Sequence, residues 1–369
     1  MKILIVTSDY LPHIGGIATH IYELSRNLCK LGHEITIFYI DRNCKNIETK
    51  KDGNILIYNI PYSDRRKHFY YRKIIKFIYD IKLLEGKDII HVHTLYPDFK
   101  IINKINTKAP IVFTNHSSGF LKMITKLYNI PRLQILLRKV DYIITPSIEL
   151  AEKSALVKSK DKIKYISNGV DTSYFLPSEL DRDKNNFYVF CPRRIVEKNG
   201  IFTLICAIPT ITRKELNIRF LFCSKLNLED EYHKKIINFI ESHNIRKYIT
   251  FLGDLPLEKM KEYYQKSHLV VIPSFMEANS IACLEAMACE SVVIASGVGG
   301  LSTLIENEKN GYLVPPGDSE VLANKIIKVI QHYDNIHCIR KTARDSVIKN
   351  YSWDIITRNT VDIYKKVIR

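Results

Sequence analysis

Arg193 and Lys198 stand in Cys-Pro-Arg-Arg-Ile-Val-Glu-Lys-Asn-Gly-Ile. A guanidinium fork and an ammonium on one loop suit a diphosphate. Farther along, Glu277 and Glu285 enclose Ala-Asn-Ser-Ile-Ala-Cys-Leu. Asn279 and Ser280 have helix N-cap chemistry, so the amides of Asn279, Ser280 and Ile281 are open to phosphate oxygens. Glu285 then falls about two turns into a helix of Ala, Leu and Met, where a carboxylate needs partners such as sugar hydroxyls. His116, in Phe-Thr-Asn-His-Ser-Ser-Gly, can donate to a sugar or phosphate oxygen. Gly15 and Gly16 permit close backbone approach ahead of a helix. Each of these also has a plain reading on its own: a solvated loop, a capped helix, a hydrogen-bonded histidine or a tight turn. His91-Val-His93 has no third ligand near it in sequence, so it reads as structural and no metal site is expected.

These residues need elements to hold them. Lys2–Thr7, Glu34–Ile40, Asp88–His93, Ile111–Asn115 and Asp141–Thr145 are near-continuous apolar runs, and Ile17–Leu31 has helical period. Such runs belong to parallel strands covered on both faces. Alternation with helices predicts a doubly wound α/β sheet. A second series then begins with Phe187–Cys191, Ile218–Cys223, Ile249–Leu252, Leu269–Ile272 and Ser291–Ala295. Polar Ser178–Asn186 separates the two and reads as a linker. The expected domains are 1–177 and 187–350, with one amphipathic helix over 351–369. Ligands of such sheets bind beyond the carboxyl ends of the strands, where the residues above fall.

The chain has 369 residues, enough for two domains, and hydrophobic residues make up 46%. Disorder and a minimal disulfide scaffold are excluded by that composition. Eight cysteines include no Cys-x-x-Cys pair and most lie in apolar runs, as small hydrophobes do in a reducing compartment. With no signal peptide and no long apolar run, a cytoplasmic protein is expected, or one held peripherally at the cytoplasmic face of a membrane. The net charge is +16; residues 1–184 hold 30 basic and 19 acidic residues, or +11, leaving +5 for the rest. That excess admits nucleic acid, an anionic membrane or anionic substrates. Two basic stretches stand out. Arg65, Arg66, Lys67, Arg72, Lys73 and Lys76 interleave with aromatic and apolar residues, and Leu121–Lys139 carries five basic residues and no acid. Both fit an anionic membrane surface, and equally a core-facing stripe with a solvated basic face.

Taken in order, the Gly-Gly turn, His116, Asn168-Gly-Val-Asp171, Arg-x4-Lys, Glu-x7-Glu, Gly299-Gly300 and a terminal helix with Trp353 resemble the retaining glycosyltransferases of family 4. The resemblance spans nearly the whole chain. It implies the GT-B fold, two Rossmann-like domains facing a central cleft, with the last helix packing back on the first domain. It assigns Arg193 and Lys198 to the donor diphosphate, Glu285 to the ribose and Glu277 to the hydroxyls of the transferred sugar. Backbone at Asn279, Ser280 and Ile281 approaches sugar and phosphates, Gly15 and Gly16 form the turn that closes on the diphosphate, and His116 lies near the sugar. The chain departs from common members at Ala278-Asn279-Ser280, where many have Pro-Phe-Gly, at Thr303, where many have an acid, and at Pro192, where glycine is usual.

The expected activity is transfer from a nucleotide-diphosphate sugar, UDP- or GDP-linked, to a glycan or lipid-linked acceptor in cell-surface polysaccharide or glycolipid synthesis. No cofactor and no metal are expected, since Asp181-Arg-Asp183 lies in the linker and basic groups can take the leaving charge. Two rivals remain. One is a nucleotide-sugar epimerase or phosphorylase of the same fold. The other is a basic nucleic-acid-binding protein, though no zinc module or RNA-recognition motif is present.

Overall fold

The computed structural model describes residues 1–13, 15–63, 67–116, 118–179, 182–183, 185–214 and 217–368. The chain divides into two compact units, Met1–Asn168 with Trp353–Arg369, and Gly169–Ser352.

The first unit contains β1 (Lys2–Thr7), α1 (Gly16–Lys30), β2 (Glu34–Asp41), β3 (Glu48–Asp52), β4 (Ile55–Pro61), α2 (Lys67–Asp80) and β5 (Ile89–Val92). It continues through α3 (Asp98–Ile102), β6 (Ile111–Thr114), α4 (Ser118–Ile124), α5 (Ile130–Leu136), β7 (Tyr142–Thr145), α6 (Ile148–Ser154) and β8 (Ile163–Tyr165). Its sheet runs β3-β4-β2-β1-β5-β6-β7-β8. All neighbours are parallel except the β3–β4 hairpin. The central strands are buried along nearly their full length, which explains why apolar residues run on without alternation.

The second unit contains β9 (Phe187–Cys191), α7 (Ile201–Thr212), β10 (Ile218–Phe222), α8 (Glu231–Ser242), β11 (Ile249–Phe251), α9 (Leu257–Lys266) and β12 (Leu269–Ile272). Then come α10 (Ile281–Ala288), β13 (Val292–Ser296), α11 (Leu301–Leu304), β14 (Tyr312–Val314), α12 (Ser319–Gln331) and α13 (His337–Tyr351). The sheet order is β11-β10-β9-β12-β13-β14, all parallel. The order reverses between β9 and β12, the switch point at which doubly wound sheets open their ligand crevice.

The expected single helix over 351–369 is present and begins two residues later, at Trp353. Extended Ser352 ends α13, and α14 (Trp353–Ile368) follows. Trp353, Ile356, Val361 and Tyr364 of α14 join the core built on β1, β2 and α1, so the chain returns to the first unit for its last helix.

The expected boundary after 177 moves to Asn168/Gly169. Val170 and Phe175 are buried beside Tyr264 in the core of the second unit. Within the expected linker, Arg182 is anchored to the second unit. Arg182 donates from Nε to the Ser267 carbonyl at 2.8 Å and from Nη2 to the carbonyls of Cys289 and Glu290 at 3.2 and 3.0 Å. A charged residue in a polar stretch reads as linker by composition, but here its fork closes three backbone acceptors.

Gly200 shows how tightly the second unit seats its loops. It has φ +66° at the start of α7, and a Cβ there would lie 1.8 Å from the Pro273 carbonyl oxygen after β12. Gly200→Ala should therefore destabilise this unit by about 2–4 kcal/mol, from overpacking and left-handed backbone together. Calorimetry would register it as a lower melting temperature, and an unchanged transition would contradict the clash.

Candidate active site

In the second unit the loops after β9, β12 and β13 converge. Phe275 N–H donates to the Lys198 carbonyl at 2.9 Å, tying the β12 loop to the β9 loop. Gly300 N–H donates to the Glu277 carbonyl at 2.9 Å. A Cβ on Gly300 would lie 2.3 Å from the Ala278 carbonyl oxygen, so the β13 loop presses against the β12 loop where only glycine fits.

Arg193 and Glu277 meet within this knot. Their side chains form an ion pair and are only 17% and 12% exposed. Arg193 Nη2 also donates to Asn199 Oδ1 at 3.3 Å, and buried Asn199 donates in turn to the Arg194 carbonyl at 2.8 Å. Arg193 Nε is buried with no hydrogen-bond partner, so the guanidinium keeps capacity for another acceptor. Burial pushes the Glu277 carboxyl up, opposed first by Arg193 and then by Lys198. Lys198 itself is exposed beside the pair's loop.

Ser280 caps α10, its Oγ accepting from Cys283 N–H at 3.3 Å. Asn279 and Ile281 are half-buried on either side of that cap. Glu285 lies a little over one turn lower and is 8% exposed, with Tyr264 Oη donating to its Oε2 at 2.8 Å. Burial raises the Glu285 carboxyl to about 7, against the hydrogen bond from Tyr264. The second unit thus brings Arg193, Glu277 and Ser280 to the carboxyl ends of β9 and β12, with Glu285 in the helix behind. An anion facing these loops meets a guanidinium, an ammonium and helix N-terminal amides. A cavity of about 820 Å³, lined among others by Phe187, His268 and Arg340, lies by the amino ends of β9 and β12, away from this chemistry.

In the first unit, Gly15 is the extended N-cap of α1, with no side-chain acceptor for the first-turn amides. A Cβ at Gly15 would meet nothing closer than 3.9 Å, so packing alone does not demand glycine there. His116 follows β6 and is half-buried. It does not stand alone. Its Nε2 lies 3.3 Å from His93 Nδ1, and its ring centroid is 4.5 Å from that of His20. This corrects the expectation that no third ligand stands near His93. His20, His93 and His116 place candidate ligand atoms within 4.8 Å of one another. His20 escaped the sequence reading because it occupies a core position among the apolar residues of α1, where it looks like one more buried residue. His91 does prove structural: it bonds Tyr364 Oη at 2.6 Å and Thr114 Oγ1 at 2.7 Å. Asp183 accepts from the backbone of Asn185 and Asn186 and so serves a turn; Asp181 lies outside the described residues.

Residues 14–174 match the family model Glycosyltransferase Family 4, and residues 175–346 match Glycosyl transferases group 1. The chain is 27% identical to an uncharacterized glycosyltransferase of Methanocaldococcus jannaschii, covering 99% of this chain and 98% of that one. It is 23% identical to a phosphatidylinositol N-acetylglucosaminyltransferase subunit of Arabidopsis thaliana, covering all of this chain and 83% of that one. Among solved structures, Anabaena HepE in complex with UDP superposes with a TM-score of 0.80 at 19% identity, covering 99% and 100% of the two chains. The two α/β units have the GT-B fold.

The raised Glu285 carboxyl has a pH consequence. Its folded value of about 7 exceeds the ordinary 4.5, so the native state keeps a proton that the unfolded chain has lost between those values. Stability from this group therefore falls as pH rises through that window, by up to about 3 kcal/mol. Glu285→Gln keeps an acceptor for Tyr264 and removes the titration. Its melting temperature should gain on the parent's from pH 5 to pH 8; a constant difference would show that the carboxyl titrates normally.

Proposed function

Because the chain belongs to the family 4 glycosyltransferases, matched by that model over 14–174 and by the group 1 model over 175–346, we propose that it moves a sugar from a nucleoside-diphosphate sugar to a hydroxyl of a glycan or lipid-linked acceptor, with retention at the anomeric carbon and without a metal in the reaction. The observation that carries the reading is the Arg193–Glu277 pair beside Lys198, held by three loops at the carboxyl ends of β9 and β12. The complex of HepE with UDP supports a nucleotide donor. The phosphatidylinositol named for the plant relative supports a lipid-linked acceptor.

In this reading Arg193 turns its free Nε edge, and Lys198 its ammonium, toward the diphosphate. Both then stabilise the charge that grows as the bond from the anomeric carbon to the phosphate oxygen breaks. The acceptor hydroxyl attacks on the same face through an oxocarbenium-like state. Its oxygen bonds the anomeric carbon while its proton passes to the departing phosphate oxygen. Glu277 orients the sugar through its hydroxyls and is not the nucleophile. The amides near Asn279, Ser280 and Ile281 take phosphate oxygens, Glu285 takes the ribose hydroxyls, His116 serves the sugar, and the Gly15–Gly16 turn approaches the bound anion.

The acceptor side is assigned to the first unit. On α2 the cations Arg72, Lys73 and Lys76 are exposed while Tyr71, Ile74 and Ile78 are buried; Arg65 and Arg66 lie outside the described residues. Phe69, Leu127, Tyr128 and Ile135 are each at least 65% exposed among these basic segments. No helix among the described residues is long and apolar enough to cross a membrane. Cations with exposed apolar side chains suit peripheral attachment to an anionic surface, where lipid-linked acceptors reside.

Transfer from a panel of UDP- and GDP-sugars should proceed in EDTA. Arg193→Ala or Lys198→Ala should lower kcat/KM by about 30- to 1,000-fold, the loss of one charge-assisted contact in the transition state. Glu277→Ala should abolish detectable transfer with the circular dichroism spectrum retained. Near-normal turnover in the Lys198 and Glu277 variants would sink the assignment, and donor consumption without an acceptor would favour the epimerase.

Flotation tests the surface separately. The protein should rise with vesicles containing anionic lipid, not with neutral ones, and the triple change Arg72→Gln, Lys73→Gln, Lys76→Gln should weaken this at least several-fold. Binding that ignores both salt and lipid charge would remove the membrane from the account.

A further inference from the structure

Four histidines crowd the carboxyl ends of β5 and β6 in the first unit, and their hydrogen bonding sets one apart. His91 uses both ring nitrogens, on Tyr364 and Thr114. The other three do not close in this way. His93 is 1% exposed, and its Nε2 is buried with no hydrogen-bond partner. Such an orphaned ring nitrogen is costly unless a water or an ion completes it. His20, 5% exposed, directs Nδ1 to Asn168 Oδ1 at 2.9 Å. Since an amide oxygen only accepts, that nitrogen carries the proton and Nε2 presents its lone pair. An oxygen acceptor behind the protonated nitrogen is the arrangement that fixes the tautomer of metal-binding histidines.

The spacing points the same way. His93 Nδ1 and His116 Nε2 are 3.3 Å apart. The three candidate ligand atoms lie within 4.8 Å of one another, so small ring rotations bring them onto one centre. Burial holds all three imidazoles neutral: it lowers His20 to about 4, and His93 and His116 well below their ordinary value. Half-buried His116 leaves the cluster an approach from solvent. Trp353 packs T-shaped against His20, with 5.3 Å between centroids.

We propose that His20, His93 and His116 form a binding site for a late first-row divalent metal ion, with Zn²⁺ the best fit and one coordination position left open. Imidazole nitrogens select Zn²⁺, Co²⁺ or Ni²⁺ over Mg²⁺ and Ca²⁺, which require oxygen. Three protein ligands with an open fourth position make an exchangeable centre rather than a sealed structural one. The ion takes no part in the proposed transfer. If His116 serves the sugar as proposed above, an ion bound there would compete with it for that side chain. The inference stands apart from the transferase reading, and its test reads metal and not turnover.

The full chain, stripped with chelator and dialysed, would be titrated with Zn²⁺ by calorimetry and with Co²⁺ by visible absorption. One ion per chain should bind, with the strong ligand-field bands of four-coordinate Co²⁺, displaced by Zn²⁺ and unaffected by millimolar Mg²⁺. His93→Gln and His20→Gln should each weaken Zn²⁺ at least about 100-fold, and Asn168→Ala, which removes the acceptor behind His20, about 10- to 100-fold. Exposed His243→Gln in the other unit should bind as the parent does. Melting curves of the metal-free variants separate a lost ligand from a lost fold, and His20→Gln stands in should His93→Gln fail to fold. Less than about a tenth of an ion per chain, or equal affinity in the parent and both ligand variants, would overturn the site and leave a bridging water as the occupant.

Discussion

A guanidinium and a carboxylate that together keep less than a fifth of their side-chain surface in water are tolerable only as a pair. Removing either partner from such a pair typically costs about 3–5 kcal/mol, because the other is stranded. The local structure of the second unit follows from keeping Arg193 and Glu277 together. Arg193 rides on the loop after β9, steadied by Asn199, while Glu277 rides on the loop after β12. Gly200 lets the first loop close on the Pro273 carbonyl, and Gly300 lets the β13 loop close on Ala278. The strands beneath are buried on both faces, so the bases of these loops cannot drift. The pair therefore serves two purposes at once. It neutralises two largely buried charges, and in the proposed function it would hold the guanidinium aimed for a diphosphate.

The first unit solves the opposite problem, that of burying neutral polar rings. Tyr364 of α14 satisfies His91, and Trp353 covers His20. The return of the chain at Ser352 therefore does more than add an apolar helix to the β1–β2–α1 core. It supplies the hydroxyl and the indole around the histidines at the sheet's carboxyl end, so loss of α14 would expose this cluster as well as the core.

Much of this was legible in the sequence, because both sheets are parallel and doubly covered. Strands such as Lys2–Thr7, Phe187–Cys191 and Leu269–Ile272 appear as unbroken apolar runs with limits that match the structure. β4, Ile-Leu-Ile-Tyr-Asn-Ile-Pro, is an apolar run missing from that series, but the other features that escaped carry no hydrophobic pattern. β3 is Glu-Thr-Lys-Lys-Asp, exposed at every position, and pairs only at the sheet's edge. β8 and β14 are three residues long, too short for a pattern. The stretch 178–186 has the composition of a tether, yet Arg182 uses backbone acceptors that no composition reveals. At the site, strand-end loops exposed Arg193, Lys198, Glu277 and His116 to sequence reasoning. His20 comes from a helix interior, and its meeting with His93 and His116 depends on three elements far apart in the chain.

The charge is unevenly spread along the chain. Arg193 and Lys198 account for only a small part of a +16 excess, and +11 of it falls in residues 1–184. A basic surface built for solubility needs no large apolar side chains among its cations. Instead Leu127, Tyr128 and Ile135 are at least 65% exposed around α4 and α5, and Phe69 is 69% exposed on α2. Nucleic-acid binding explains cations and stacking aromatics, but gives no role to leucine and isoleucine standing in water among them. An anionic bilayer uses both, the cations at the headgroups and the apolar side chains below them. It would also concentrate a lipid-linked acceptor where the first unit can reach it, so the surface charge and the proposed chemistry become parts of one requirement.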